Sequence, residues 1–235
     1  MRIASVFASI LLMMVLSGCD APSLAVRGDS TALASRSGVA KIWNLCPGWD
    51  AYRWWVIVGK SFTPNRAVFN DGVGGQSIRT LRDKMQADQD HRALPTVIYD
   101  RRNEGEDAGE YIADLKQAVA TLTTRDFLIL PQVPQSVGRP ETPDQIAAMA
   151  EIDRQVLALW PKNTFSPADR QAFIAELTQD DTRLDGLHRN EKGQAIEARW
   201  IGNWLHARLD EASAQDARSR ADVTAADQRP PSREP

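Results

Sequence analysis

Asp185 and His188 stand three residues apart in DTRLDGLHRNEKGQA, residues 181–195, just ahead of a helix start. A carboxylate that close to an imidazole can hold the ring in one tautomer and make it a general base, and a general base needs a nucleophile elsewhere in the chain. The alternative for the pair is a surface turn with a helix cap. Other short polar stretches stand out with it: Gly28-Asp29-Ser30, the glycines of Asn70-Asp71-Gly72-Val73-Gly74-Gly75, and Arg101-Arg102-Asn103.

The elements around these stretches decide whether they can meet. Short apolar runs at 23–26, 67–69, 95–99 and 127–130 read as strands, and each of the first three ends at one of the polar stretches. Between them lie segments of helical periodicity, at about 77–85, at 108–122 through Tyr111, Ile112, Leu115, Val119 and Leu122, and at Ile146, Met149, Ile152, Val156 and Leu159 with Pro143 near the start. Val39 to Phe62, rich in tryptophan and broken at Pro47-Gly48, reads as two helical pieces, the second packed on a sheet. Asn163-Thr164-Phe165 occupies the place of a fifth strand. A final helix spans about 191–209, with Ile196, Trp200, Ile201, Trp204 and Leu205 facing the core. Continuous apolar strands alternating with amphipathic helices predict an α/β chain, a three-layer α/β/α stack on a mostly parallel sheet of four to five strands, flavodoxin-like. In such a sheet functional groups gather beyond the carboxyl ends of the strands, where these loops fall.

With the blocks in this order the chain resembles the GDSL, or SGNH, hydrolase family from about Ser23 to Leu209. Gly28-Asp29-Ser30-Thr31 resembles its nucleophile block, which implies Ser30 as nucleophile. Residues 70–77 resemble the second block, which implies an oxyanion-hole amide at Gly75. Asn103 falls on the third block's asparagine, implying a side-chain oxyanion donor, although that block is usually Gly-x-Asn-Asp and here reads Arg101-Arg102-Asn103-Glu104. Asp185-Gly-Leu-His188 matches the fifth block and completes a triad of Ser30, Asp185 and His188. The chemistry suits these roles: a serine hydroxyl needs an imidazole to take its proton, and the tetrahedral oxyanion needs fixed donors, namely the N–H groups of Ser30 and Gly75 and the Asn103 amide. Arg27, where the family more often has an apolar residue, points to a less buried end of the first strand.

The remaining features bound the class. A net charge of −3 without clustered Lys or Arg argues against nucleic acid as a partner. No nucleotide fingerprint accompanies the glycines. Glu104, Glu106, Asp107 and Glu110 suit a helix N-terminus through its dipole rather than a metal site. His91 and His206 have no carboxylate at a useful spacing and read as structural, and the tryptophans of 43–55 read as core. Residues 1–18 read as an export signal, since the apolar run from Ile3 to Leu16 is shorter than the roughly 20 residues of a spanning helix. Leu16-Ser17-Gly18-Cys19 resembles the bacterial lipobox, which implies a lipidated Cys19, a short linker over 19–22 and a bacterial cell-envelope location, with inner or outer membrane left open. Cys46 then has no disulfide partner and reads as a buried small hydrophobe. The expectation is one domain over 23–210 with a disordered tail over 211–235. It would act as a serine esterase through an acyl-enzyme with no cofactor or metal, on an ester such as an O-acetylated envelope glycan. A lipase or thioesterase and a catalytically degenerate glycan-binding lipoprotein are the alternatives.

Overall fold

The computed structural model describes residues 23–33, 42–43, 53–100, 107–135, 141–184 and 187–227. Its centre is a five-stranded sheet of β1 (Leu24–Gly28), β2 (Ile42–Trp43), β3 (Val68–Asn70), β4 (Thr96–Tyr99) and β5 (Phe127–Ile129), in the order β2-β3-β1-β4-β5. β3, β1, β4 and β5 are parallel, in register from Leu24↔Val68 and Val26↔Val97 to Val97↔Leu128. The short β2 pairs antiparallel to β3 at the edge, through Ile42↔Asn70 and Trp43↔Phe69.

Helices cover both faces, as expected of strands that are buried on both sides and apolar at most positions. On one face Leu24, Val26, Val68, Val97 and Leu128 pack under α2 (Trp54–Ser61), α6 (Pro167–Leu177) and α7 (Glu191–Asp227), which supply Trp54, Trp55, Phe173, Leu177, Ile201 and Leu205. On the other Ile98, Phe127 and Ile129 pack under α3 (Ile78–Ala87), α4 (Ala108–Val119) and α5 (Pro143–Leu159), through Leu81, Met85, Tyr111, Leu115, Ile152 and Val156. A four-residue helix, α1 (Ser30–Leu33), follows β1 directly. This is the three-layer α/β/α stack that the periodicity predicts, with Trp54 and Trp55 in its core.

Several local expectations are corrected. The piece of the 39–62 segment at Ile42–Trp43 is strand rather than helix. Asn163-Thr164-Phe165 is not a strand, although it borders β5: the Ile129 N–H donates to the Asn163 carbonyl at 2.8 Å and the Thr164 hydroxyl to the Ile129 carbonyl at 2.9 Å. α6 appears where no helix is expected, started by Ser166, whose hydroxyl oxygen accepts the Asp169 N–H, with proline in its first turn. The last helix continues past Leu209 to Asp227.

Arg27 is not at a less buried strand end; it is 1% exposed. Its guanidinium donates to Asp71 at 2.7 Å and to Asp88 at 2.5 Å and lies over the Phe69 ring, while Lys84 binds Asp71 at 2.5 Å. His91 does have a carboxylate at a useful spacing: Asp88 sits 2.9 Å from its Nδ1, and the imidazole stacks on Phe69 at 3.8 Å. His206 stacks on Phe62 and meets the Ser61 hydroxyl at 2.9 Å. Asp107 caps α4, accepting the Gly109 N–H at 2.7 Å, with Glu110 in the first turn. Glu104, Glu106, Cys19 and Cys46 lie outside the described residues.

Candidate active site

The turn that carries Ser30 is set by its neighbours. β1 ends on Gly28 with φ +146°, and a Cβ there would stand 1.9 Å from the Tyr99 carbonyl oxygen, so β4 can lie this close only to glycine. The next residue, Asp29, is fully buried, and its Oδ1 accepts the Thr31 N–H at 2.8 Å and the Thr31 hydroxyl at 2.5 Å. That local bonding takes the chain from strand into α1 within one residue and makes Ser30 the first helical position. α1 is tied down from two sides: the Thr31 carbonyl accepts the Trp54 indole N–H at 3.2 Å, and the Ala32 carbonyl accepts the Asn70 amide at 3.0 Å.

The glycine stretch after β3 is fastened to the same turn. The Gly28 carbonyl accepts the Val73 N–H at 3.0 Å and also the side-chain amide of Gln76. Asn70 closes the start of the stretch by accepting the Gly72 N–H at 2.9 Å. Gly75 has φ +73° and is exposed, and a Cβ there would meet nothing within 4 Å. Its conformation therefore favours glycine, while the space beside it is open to an incoming group.

The third part is the loop before α7. An antiparallel bridge joins Arg183 to Arg189, with the Leu184 N–H donating to the His188 carbonyl at 2.8 Å, so His188 stands at the base of a pinched loop, half-buried. Asn190 anchors that base, accepting the Gly193 N–H at 3.0 Å and donating to the Asp181 carbonyl at 2.8 Å. Gly193 lets the helix start lie against the loop, since a Cβ there would be 2.3 Å from the Thr182 carbonyl. Behind the histidine, Arg189 and Glu197 form a buried ion pair at 3.3 Å, and the Tyr99 hydroxyl donates to the same Glu197 oxygen at 2.8 Å. Burial, and then the Glu197 charge, raise the Tyr99 phenol well above its ordinary value; burial also pushes the Glu197 carboxyl up to about 7, against the pull of Arg189.

These parts meet at the carboxyl end of the sheet, where β1 has β3 on one side and β4 on the other, the switch point at which α/β sheets bind ligands. A small cleft, partly open to solvent, is lined there by Thr31, Tyr99, Pro131, Gln132, Leu187 and Arg189 among others. It brings the residue after Ser30 together with the two that flank His188. Gly75 is not in its lining, although its turn shares the Gly28 carbonyl with the Ser30 turn. Asp185 and Asn103, with Arg101 beside the latter, lie outside the described residues. Among the described residues no group of His, Cys, Asp or Glu is arranged to hold a metal ion.

Sequence reasoning missed Tyr99, Gln132, Arg189 and Glu197. The only signal for Glu197 is a carboxylate one turn before Ile201, inside the apolar stripe of the last helix. Gln132 sits in a Pro-Gln-Val-Pro loop, and its amide donates to the Asp100 carbonyl at 2.9 Å and meets the Tyr111 hydroxyl at 3.2 Å.

No protein-family model matches the chain, and no curated protein matches it. Solved structures do. A member of the lipolytic G-D-S-L family from Veillonella parvula is similar at TM-score 0.54 and 14% identity, over 77% of this chain and 96% of that one. A psychrotrophic esterase from Pseudoalteromonas gives TM-score 0.57 at 13% identity, over 80% and 98%. A catalytic mutant of an acetylxylan esterase from Geobacillus stearothermophilus gives TM-score 0.54 at 15% identity, over 77% and 93%. The chain has the fold that these G-D-S-L proteins and esterases share.

Proposed function

We propose that this chain, folded as the solved GDSL proteins and esterases are, is itself a serine ester hydrolase of the GDSL/SGNH type. The observation that carries the reading is the cleft at the switch point, where Thr31 from the strand-to-helix turn faces Leu187 and Arg189 from the loop before α7. A serine on the first of these turns and a histidine on the second are the groups that such a reaction needs.

The Ser30 hydroxyl attacks the ester carbonyl while His188 takes its proton, and Asp185 holds the imidazole in the required tautomer. The negative charge that develops on the carbonyl oxygen is met by the N–H groups of Ser30 and Gly75 and by the Asn103 amide, each such donor contributing on the order of 100-fold or more in turnover. His188 then returns its proton to the leaving alcohol, the C–O bond breaks, and an acyl-Ser30 ester remains. Water activated by His188 hydrolyses that ester in a second pass through the same site.

The likeness in fold to an acetylxylan esterase supports a short acyl group, and with it an O-acetyl ester of an envelope glycan over a long-chain lipid. The sequence of residues 1–22 supports a lipid anchor at Cys19 and a cell-envelope location. Leu24 opens β1 and Ser30 follows its far end, so an anchored domain would present its active site away from the bilayer.

One experiment tests both parts. The full chain, expressed in a bacterial host and fractionated, should hydrolyse p-nitrophenyl acetate faster than the octanoate in the membrane fraction. Ser30→Ala should abolish the hydrolysis, and Cys19→Ala should move it to the soluble fraction. Serine-independent hydrolysis would overturn the esterase, an octanoate preference the short acyl group, and activity that stays with membranes in Cys19→Ala the anchor.

A further inference from the structure

Glu197 is fully buried on α7, where an apolar side chain would fill the core without the several kcal/mol that an ionised carboxylate costs on leaving water. One of its oxygens takes two hydrogen bonds, from the Tyr99 hydroxyl at 2.8 Å and from the Arg189 Nε–H at 3.3 Å. The other, Oε2, has no hydrogen-bond partner among the described residues. Arg189 is held at a second point, donating from Nη1 to the Leu187 carbonyl at 3.0 Å, so its guanidinium braces the loop on both sides of His188.

From Tyr99 the contacts run on toward Ser30. The Tyr99 ring meets Trp54 edge-on with centroids 6.3 Å apart, and the Trp54 indole N–H donates to the carbonyl of Thr31. Tyr99 also faces Gly28 in the β1–β4 register, at the start of the Ser30 turn. Glu197 is thus the point at which the histidine loop, the last helix and the strand behind the serine turn are joined.

We propose that Glu197 is a positioning residue of the esterase site, which through Arg189 holds the His188 loop at a fixed place relative to the Ser30 turn. The inference rests on the esterase reading for its effect on turnover, and on the network alone for its effect on His188. The groups that face Glu197 are Tyr99 from β4, Arg189 from the loop and, electrostatically, Asp29 from the end of β1. Burial raises its pKa first, Asp29 adds to the rise, and Arg189 and the Tyr99 hydroxyl oppose it, with a balance at about 7. Below that pH the carboxyl is neutral and the ion pair to Arg189 becomes a weaker hydrogen bond. Above it the pair is complete and the loop is braced.

The test compares the full chain with Glu197→Gln and Arg189→Lys. The first keeps an acceptor and removes the charge, and the second keeps the charge and removes the planar fork. Turnover of p-nitrophenyl acetate at pH 8 should fall about 10- to 100-fold in both, with KM within about twofold, since a misplaced base costs reaction rate more than binding. The acid limb of the kcat profile should be less steep in Glu197→Gln, because the Glu197 carboxyl no longer titrates. Independently of turnover, the imidazole Cε1–H signals of the three histidines at pH 8 should show His188 displaced in both variants and His91 and His206 unmoved.

An unmoved His188 signal, or an equal displacement of all three, would overturn the proposal and leave Glu197 a residue of general stability. If the wild-type chain shows no Ser30-dependent hydrolysis but the His188 signal moves alone, the link between Glu197 and the loop stands and the esterase reading falls.

Discussion

Two glycines beside the serine turn make different demands, and their substitution separates them. At Gly28 both the backbone, at φ +146°, and the Tyr99 carbonyl, 1.9 Å from any added Cβ, exclude a side chain. Gly28→Ala should cost several kcal/mol and remove activity by pushing β4 away from β1. At Gly75 the space is open and only φ +73° opposes a side chain, so Gly75→Ala should cost about 1–2 kcal/mol. Urea unfolding of both variants checks the pair, and equal losses would contradict the account. The residue types of the site are legible in sequence because a Gly-Asp-Ser turn, a glycine run and an Asp-x-x-His pair are short and local. Arg189 and Glu197 are not, since nothing in a helical stripe says which charged residue turns inward to meet a tyrosine from β4.

Legibility also falls with distance along the chain at the scale of elements. The four parallel strands show as continuous apolar runs, and α3, α4 and α5 by their periodicity. β2 does not: two residues carry no period, and only pairing with β3 makes them a strand. α6 has a strong start at Ser166-Pro167 but a weakly segregated face, with Phe173 and Leu177 as its main buried apolar residues. The Asn163–Phe165 stretch reads as a strand because its partners are real, but they are side-chain and single backbone contacts to β5 rather than a ladder. At the opening of α7 the cap is also an anchor for the histidine loop, through the bonds of Asn190 to Gly193 and Asp181. Asn190→Ala should therefore lower stability by about 1 kcal/mol, as for other lost caps, and lower turnover by more than that loss explains. Thermal melts and initial rates on the same preparation check it, and a variant with unchanged kcat would mean the cap serves the helix alone.

On the scale of the whole molecule the two faces of the sheet differ in kind. One is an apolar core built on tryptophans; the other adds a charged cluster of buried Arg27 and Asp71 with half-buried Lys84, Asp88 and His91. Burial would raise the Asp88 carboxyl, but the hydrogen bond and charge of Arg27, followed by those of His91, bring it down to about 2. A folded-state pKa below the unfolded value contributes stability that is present above about 3.8 and lost as the pH falls toward 2. Asp88 is only partly buried and solvent screens its pairs, so the contribution is about 1 kcal/mol. Asp88→Asn should lower the urea midpoint at pH 7, and its deficit against wild type should shrink as the pH is brought from about 4 to 3. A deficit that stays constant would show that the loss comes from packing instead.

The Gly28 carbonyl has one further consequence. Because it accepts from both Val73 and Gln76, a single oxygen fixes how many residues can lie between β3 and α3. An insertion there would strip both bonds at once and disturb the serine turn with the glycine turn. Over evolutionary time this segment should therefore tolerate replacement of exposed side chains but not change in length. Divergence toward new substrates would instead enter through the Pro131–Val133 and Leu187 walls of the cleft, which lie outside the β3–α3 connection.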